Sequence, residues 1–247
     1  MGLIPHGEPP RFFTYRSLTA AGLPHATTTR HFDGAAPFAD PAGPFRLEGA
    51  NGLAGIGIDL SSAAYAKQVH GADVAEPERG GFVGKADVLA TRASRLPLAI
   101  FTADCLAIML YDPDAHALSV AHSGWRGTVG GTPQSAVAAL ERVGGRATAA
   151  RATIAPSIGP CCYEVDGPVI ERFAARYPDR WERWTIAAGP GHWMLDLWSA
   201  NEDLLVDAGL KREHIENPRF CTACHSDVLF SYRKGMRGRL VTVAALP

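Results

Sequence analysis

Three side chains of this 247-residue chain have types that together could bind a metal ion: His70, Cys105 and His122. Two imidazoles and a thiolate form a mixed nitrogen and sulfur set that Zn²⁺ accepts, with a fourth position left for water or substrate. The three residues lie 35 and 17 positions apart, which matches no compact zinc-finger spacing. Taken singly, a Cys usually packs as a small apolar side chain, and a lone His is usually hydrogen-bonded scaffold. The residue types alone leave a metal site and ordinary packing both open.

Predicted strands place two of these residues at strand ends. Apolar, β-branched and aromatic residues predict strands over 96–102, 107–111 and 117–121, with a turn at Pro113-Asp114. The short connections favour an antiparallel meander. Cys105 lies before the second strand and His122 directly follows the third, so their side chains can converge on one rim of a sheet.

A glycine-rich segment over residues 124–131 follows the third strand. Thr132 is predicted to be the N-cap of a helix with Pro133 at its first position, and a Gly-Gly pair is predicted to end that helix. Backbone N–H groups before a helix N-terminus, together with Arg126, predict a phosphate site. The segment lacks the Gly-Lys-Ser/Thr ending of a Walker motif, so a flexible turn is the alternative.

The rest of the pattern predicts an α+β fold in a single domain over residues 1–247, because strands come in runs between the helices. Residues 31–56 are rich in Gly, Ala and Pro and are predicted to form a long loop. Further predicted elements are a strand at 153–155, a helix that opens at Asp166-Gly167-Pro168, a helix with Leu197, Ala200, Leu204 and Ala208 on one side, and antiparallel strands at 228–232 and 240–244.

The composition excludes several classes of function. The formal net charge is −1, so the basic footprint of a nucleic-acid-binding protein is missing, and Arg233, Lys234, Arg237 and Arg239 are predicted to be a solvated basic face. Neither a leader peptide nor a run of about 18 apolar residues occurs, which predicts a cytoplasmic protein without a membrane partner. Five cysteines are an odd number for a disulfide framework, so reduced thiols are expected. The oligomeric state is left open.

The other four cysteines have competing interpretations. Cys161-Cys162 is either structural or contains a reactive thiol. Cys221-Thr-Ala-Cys224-His225 has the pattern of covalent haem attachment, but that reaction requires export. A zinc site made by Cys221 and Cys224 with Cys161 and Cys162 is a further alternative.

Two carboxylates are candidates for supporting roles. Asp104, next to Cys105, either orients a metal-binding His or caps a turn. Glu164 is either a proton donor or an exposed, solvated side chain.

Several segments, in order, resemble a widespread bacterial family once called multicopper polyphenol oxidases or laccase-domain proteins, whose members are regarded as zinc-dependent purine nucleoside phosphorylases with adenosine deaminase activity. The resemblance runs from about residue 25 to the end of the chain, and two of its motifs, AHSGWRG and IGPCCYEV, are highly specific. Thr28-Thr29-Arg30 is similar to an early Ser-Thr-Arg signature of the family. The other matching segments are KQVHGADV, TADCLAIMLYD, LDLWSANEDLL and CTACHSDVLFSYR.

The resemblance implies that His70, Cys105 and His122 are catalytic metal ligands, that the cofactor is Zn²⁺ or copper, and that Arg30 and Arg126 bind substrate or phosphate. It implies a layered α/β/β/α arrangement and phosphorolysis of adenosine, inosine, guanosine or 5′-methylthioadenosine, without ranking them. The chain departs from the family pattern over residues 31–50 and near Gly235.

Three alternatives remain. A copper oxidoreductase acting on phenols would need a weak axial ligand, for which Met109 and Met194 are candidates. A non-catalytic protein in which the metal only cross-links the fold predicts four protein ligands and no open position. A thiol hydrolase would use Cys161 or Cys162 with a His.

Overall fold

The computed structural model of the protein describes residues 2–33 and 51–247. The predicted loop at 31–56 and the departure from the family pattern at 31–50 therefore fall largely outside the described residues. The first half of the described chain contains strands β1 Leu3–His6, β2 Phe12–Tyr15, β3 His25–Thr28, β4 Ala64–Lys67, β5 Val74–Ala75, β6 Gly81–Lys85, β7 Val88–Thr91, β8 Leu98–Thr102, β9 Leu106–Asp112 and β10 Ala117–Ser123. The second half contains β11 Arg151–Ile154, β12 Glu164–Asp166, β13 Thr185–Gly189, β14 His192–Leu195, β15 Ile215–Glu216 and β16 Leu240–Ala244.

Five α-helices occur within these described ranges: α1 Arg16–Ala20, α2 Trp125–Gly130, α3 Thr132–Arg142, α4 Gly167–Arg176 and α5 Leu197–Asp207. The predicted helices after residues 132, 166 and 196 are confirmed. Gly131, with φ of +89°, is the N-cap of α3, so the prediction that Thr132 caps this helix is wrong. The Thr132 hydroxyl instead donates to the carbonyl of Gly71 at 2.7 Å. In the part of the chain that the structure describes, no helix has the length and apolar character needed to cross a bilayer.

The strands form three sheets within the described residues. One sheet has the order β1-β2-β3-β16-β8-β4-β6, and the second has the order β15-β11-β9-β10-β7-β5. A third, smaller sheet has the order β12-β14-β13. Antiparallel and parallel pairs both occur in the first two sheets, so the predicted α+β class with mixed sheets is confirmed.

Alternating side chains of β8 and β9 build the layers of the core. In β8, Leu98 and Ile100 pack between the two large sheets, whereas Ala99 and Phe101 pack against the segment that contains the short 3₁₀ turn Leu60–Ser62. In β9, one face packs between the sheets and the other contacts the helices. Burying each Leu or Ile contributes about 1.5–3 kcal/mol, so these alternating faces hold the layers together.

The predicted three-stranded meander is wrong in one respect. β9 and β10 pair in antiparallel register as predicted, with His122 opposite Ala107, but β8 belongs to the other large sheet and pairs with β16 and β4. The short connection at Ala103–Cys105 therefore carries the chain from one sheet to the other. Asp104 has φ of +89° at this crossing. Pairing with a strand near the C-terminus is a long-range preference that a local pattern does not contain.

The strand predicted at 228–232 is also wrong. This segment forms turns, in which the backbone N–H groups of Val228 and Leu229 donate to the carbonyl of His225. Leu229 is buried in a small cluster with Phe13 and Leu240. The alternation of apolar residues therefore reflects packing of a turn segment onto the sheet. The strand predicted at 240–244 is confirmed, and its neighbours are β3 and β8.

Candidate metal centre

His70, Cys105 and His122 meet at one rim of the two sheets. Their donor atoms all lie within 4.8 Å of one another, and the two imidazole rings are edge to face with centroids 4.8 Å apart. Ligands of one tetrahedral Zn²⁺ lie about 3.3 to 3.8 Å apart, given bond lengths of about 2.0 to 2.3 Å. The donor set and its geometry therefore fit a single ion with little movement of the side chains.

A buried carboxylate, Asp87, organises two of the three donors. Its side chain is fully buried, and it accepts the backbone N–H groups of Val69, His70 and Gly71 at 3.1, 3.0 and 2.7 Å. It also accepts from His122 Nδ1 at 2.8 Å. Because a carboxylate only accepts, Nδ1 of His122 carries a proton, and an ion would bind this ring at Nε2.

The contacts to Asp87 also hold His70 in an unfavourable backbone conformation. His70 has φ of +61°, in the left-handed region that costs a non-glycine residue about 1–2 kcal/mol. Hydrogen bonds to a charged acceptor contribute about 1.5–3 kcal/mol each, so the three N–H donors offset this cost. Sequence reasoning missed Asp87. The available signal was one acidic residue in an otherwise apolar run, Ala86 to Ala90.

The interactions among Cys105, His122 and Asp87 favour the thiolate form of Cys105. Burial raises the pKa of Cys105, but hydrogen bonds from His122 and His70 outweigh burial and bring it down to about 6. Burial lowers the pKa of His122, but hydrogen bonds to Asp87 and Cys105 raise it to about 9. Burial likewise raises the pKa of Asp87, and its hydrogen bonds to His122 and Gly71 lower it below its ordinary value. A thiolate is the form of Cys that binds metal ions.

Gly124 leaves the space beside Cys105. A Cβ atom on Gly124 would lie 2.8 Å from Cys105 Sγ and 3.3 Å from His70 Cδ2. The residue after β10 must therefore lack a side chain for the three donors to approach one another.

A pocket of about 410 Å³ opens directly onto the three donors. Tyr232, a residue that is 72% exposed, and Arg239 contribute its aromatic and charged groups. Gln68 fixes the pocket wall, because its amide both donates to and accepts from the backbone of Phe101 at 2.8 Å. Arg239, from the cluster predicted to be a solvated basic face, is one of the residues that line this pocket. The pocket is lined by Gln68, His70, Phe101, Thr102, Ala103, Cys105, His122, Tyr232 and Arg239.

The two arginines predicted to bind substrate or phosphate lie elsewhere. Arg126 lines a different cavity, of about 580 Å³, and its guanidinium stacks on Trp125 at 4.4 Å. The segment predicted to be either a phosphate-binding loop or a flexible turn is mostly the short helix α2. Arg30 is exposed and donates to the carbonyl of Ser226 at 2.8 Å. Neither residue is among those that line the pocket beside Cys105.

The two candidate carboxylates have structural roles. Asp104 accepts the Thr222 hydroxyl at 2.6 Å and the backbone N–H of Arg233 at 2.7 Å, so it positions the 222–233 segment and leaves the orienting role to Asp87. Glu164 is exposed, and its carboxylate lies 3.0 Å from His192 Nδ1. The interpretation of Glu164 as a solvated side chain is therefore favoured over that of a proton donor.

Two alternatives lose support from the positions of their residues. Met109 packs between the large sheets and Met194 lies on β14, so neither is among the residues that line the pocket as an axial copper ligand would. Desolvation and the neighbouring thiols raise the pKa of Cys161 above the ordinary thiol range, and they raise that of Cys162 to about 11. A hydrolase nucleophile requires a lowered pKa or an adjacent base.

Two proteins of similar sequence are named as enzymes that act on nucleosides. A purine nucleoside phosphorylase from Deinococcus radiodurans is 33% identical over 237 residues, which cover 91% of this chain and 90% of the relative. Adenosine deaminase RL5, from an unknown prokaryotic organism, is 30% identical over 189 residues, covering 72% of each chain.

A solved structure has the same fold. The crystal structure of YlmD from Geobacillus stearothermophilus matches with a TM-score of 0.86 at 29% identity, over 99% of both chains. Residues 50–247 match the family described as multi-copper polyphenol oxidoreductase laccase. The resemblance inferred from the motifs is confirmed, and the chain belongs to that multi-copper polyphenol oxidoreductase laccase family.

Proposed function

We propose that this protein is a metal-dependent purine nucleoside phosphorylase that also deaminates adenosine. The observation that carries the proposal is the convergence of His70, Cys105 and His122 on the floor of a pocket. Within the described residues this group has three donors, so one position of a tetrahedral ion would face the pocket. An ion that only cross-linked the fold would have a closed set of four.

The proposed ligands are His70, Cys105 and His122, and the proposed ion is Zn²⁺, with copper as the alternative occupant. When bound, such an ion supplies Lewis acidity and makes water a better nucleophile at neutral pH. Asp87 keeps His122 in the tautomer that leaves Nε2 available, and it holds the His70 backbone in place.

The pocket has groups suited to the other parts of a nucleoside and phosphate. Its volume of about 410 Å³ lies within the range of about 300–1,000 Å³ typical of small-molecule sites. We assign the exposed ring of Tyr232 to stacking on the purine, an interaction that contributes about 1–3 kcal/mol per base. We assign Arg239 to phosphate, because a guanidinium forms two parallel hydrogen bonds to phosphate oxygens. Arg126 and Arg30, which are not among the residues that line this pocket, remain proposals for binding phosphate or substrate.

The names of the relatives support both proposed reactions. In phosphorolysis, phosphate attacks C1′ of the ribose and the purine leaves with the glycosidic electron pair, which gives free base and ribose 1-phosphate. In deamination, water displaces ammonia from C6 of adenine and adenosine becomes inosine. The proposed substrates are adenosine, inosine, guanosine and 5′-methylthioadenosine.

Incubation of the purified protein with inosine or adenosine, with and without phosphate, tests the proposal. We expect free base and ribose 1-phosphate only when phosphate is present, and ammonia from adenosine in either case. Cys105→Ala should abolish both reactions and remove the ion from this site. Unchanged turnover in Cys105→Ala, or no turnover in the zinc-loaded wild type, would contradict the proposal.

His116 offers a matched control for the histidine ligands. Like His70 it has a positive φ, of +52°, but it lies in the turn between β9 and β10, where its ring contacts Ser94. Asn tolerates this backbone region better than most residues. His70→Asn should therefore lose turnover and the ion, whereas His116→Asn should retain both.

A further inference from the structure

A second group of potential metal ligands lies outside the pocket. The segments around Ser157 and Cys221 run side by side as a parallel β-bridge, with the N–H of Thr222 donating to the carbonyl of Ser157 at 3.1 Å. The first segment then makes a turn that carries Cys161 and Cys162, and the second has Cys221 in the bridge itself and Cys224 in the turn that follows. The four thiols brought together are those of Cys161, Cys162, Cys221 and Cys224.

The positions of the sulfur atoms suit a shared ion better than a bond between any two of them. All four Sγ atoms lie within 4.8 Å of one another. Cys224 Sγ is 3.4 Å from both Cys161 Sγ and Cys162 Sγ, whereas a disulfide joins two sulfurs at about 2.05 Å. The corners of a tetrahedral Zn–S₄ site are about 3.8 Å apart, because each Zn–S bond is about 2.3 Å.

The surroundings of the buried thiol also resemble those of a metal-bound thiolate. Cys221 is 3% exposed, and its Sγ accepts the backbone N–H of Gly159 at 3.3 Å. Ligands of metal sites are commonly held by such outer hydrogen bonds. Cys221 and Cys224 also have the two-residue spacing that is typical of one half of a structural zinc site.

We propose that Cys161, Cys162, Cys221 and Cys224 bind a second, structural Zn²⁺ ion through four thiolates. The site is closed, because all four tetrahedral positions are filled by protein sulfur. On binding, the ion displaces the thiol protons to solvent and neutralises part of the thiolate charge, without any redox step. One ion fits the observed distances, and zinc is the usual occupant of a tetrahedral set of four thiolates.

The second ion would fix the segment that forms one wall of the pocket. The turn at Cys221–Cys224 continues into the residues that contact Asp104 through Thr222 and Arg233. Tyr232, at the edge of the pocket, directly precedes Arg233. A metal cross-link between residues 161–162 and 221–224 therefore stabilises the wall without contacting substrate.

Zinc content and X-ray absorption of the full-length protein test the proposal. In His70→Asn, whose other site is emptied, we expect about one zinc per chain with only sulfur neighbours at about 2.3 Å. Cys224→Ser should lose about one zinc relative to the wild type, whereas Ser226→Ala, in the same turn, should retain the wild-type content. If Cys224→Ser does not fold, the absorption spectrum of His70→Asn still decides the question.

Several results would overturn the proposal. They are wild-type zinc content in Cys224→Ser, nitrogen or oxygen ligands for the zinc that His70→Asn retains, iron in place of zinc, or a mass two protons below that of the reduced chain in freshly purified protein. The outcome is independent of the proposed catalytic function. A wild type that retains only the four-sulfur zinc and has no turnover would contradict the catalytic function but support this second site.

Discussion

Two clusters of potential metal ligands that include cysteines occur in the described part of this chain, and they differ in donor types, supporting contacts and surroundings. The first combines two imidazoles and one thiol at strand ends, is organised by Asp87, and opens onto a pocket. The second has four thiols on two turns. A set of three donors beside a cavity suits catalysis, whereas a set of four suits cross-linking. The contrast predicts that changes at the first cluster act on turnover and changes at the second act on stability.

The largest predicted difference is between a substitution of one ligand in the first cluster and a substitution of one ligand in the second. His70→Asn should lower kcat at least about a thousandfold, because an ion contributes several kcal/mol to the transition state and each 1.36 kcal/mol is tenfold. Cys224→Ser should keep kcat within about tenfold of the wild type but lower Tm by roughly 5–15 °C. Assays below both Tm values and thermal unfolding measure the two effects. A loss of kcat in Cys224→Ser as large as that in His70→Asn would remove the distinction between the clusters.

Asp87 gives a sharper test of how the first cluster is held. Asp87→Asn replaces the carboxylate that accepts from His122 and from three backbone N–H groups, and we expect zinc affinity at the pocket to fall about 10- to 100-fold. Asp112→Asn is the matched control. Asp112 is also fully buried and accepts backbone N–H groups, at the far end of β9. Competition with a chelator measures the affinity, and equal losses in both variants would mean that Asp87 acts only on folding.

A substitution at Gly124 tests whether zinc binding requires the space beside Cys105. Gly124→Ala places a Cβ 2.8 Å from Cys105 Sγ, so we expect about a tenfold loss of zinc affinity and a corresponding loss of activity at limiting zinc. Gly130→Ala, at the last residue of the helix α2 whose N-cap is Gly124, meets no atom within 4 Å and should bind zinc as the wild type does. Wild-type affinity in Gly124→Ala would show that the donors do not need this close approach.

Substitutions of Arg239 and Arg237 distinguish direct phosphate binding in the pocket from a long-range effect of positive charge. Arg239 lines the pocket, and losing a charged hydrogen bond costs about 1.5–3 kcal/mol, so Arg239→Met should raise KM for phosphate about tenfold or more. Arg237→Met removes the same charge from an exposed neighbour and should leave KM within about twofold. Initial rates at varied phosphate concentration provide the measurement. An equal rise in both variants would assign the effect to long-range charge.

The smallest predicted effect is a pH dependence of the free energy of unfolding, and it arises from His25, which lies outside both clusters. Burial lowers the pKa of His25 below its usual 6.5, and its neutral ring accepts from the Tyr15 N–H and donates to the carbonyl of Leu23. As pH falls below about 6.5, the unfolded chain gains a proton that the folded chain resists, so the free energy of unfolding falls by at most about 1.4 kcal/mol per pH unit. Denaturant titrations between pH 7.5 and 5.5 should show a steeper loss for the wild type than for His25→Gln. Equal slopes would contradict the assignment.

The sequence predicted the identity of the first cluster better than its surroundings. His70, Cys105 and His122 stand in motifs of specific composition, and the helices after residues 132 and 196 follow local apolar periodicity. Asp87 was missed because its one local signal, an acidic residue in an apolar run, does not show which groups the carboxylate contacts. The placement of β8 in the other sheet depends on pairing with β16, more than 130 residues away in the chain.

The pocket and the four-thiol cluster were the hardest features to predict, for the same reason. Tyr232 belongs to a segment that was predicted to be a strand, and Arg239 to a cluster that was predicted to be a solvated basic face, yet both line the pocket. The two cysteine pairs are separated by about 60 residues and meet because of one β-bridge at Ser157 and Cys221. The sequence offered this zinc site as one of several interpretations of these cysteines, and only the tertiary contacts distinguish it.

An anomalous difference map at the zinc absorption edge, from crystals of the zinc-loaded protein, tests the central claim most directly. We predict a peak bound by His70, Cys105 and His122 whose remaining coordination position faces the pocket and is filled by no protein side chain. A map without a peak between these residues, or a peak with a fourth protein ligand that closes the site, would contradict the account.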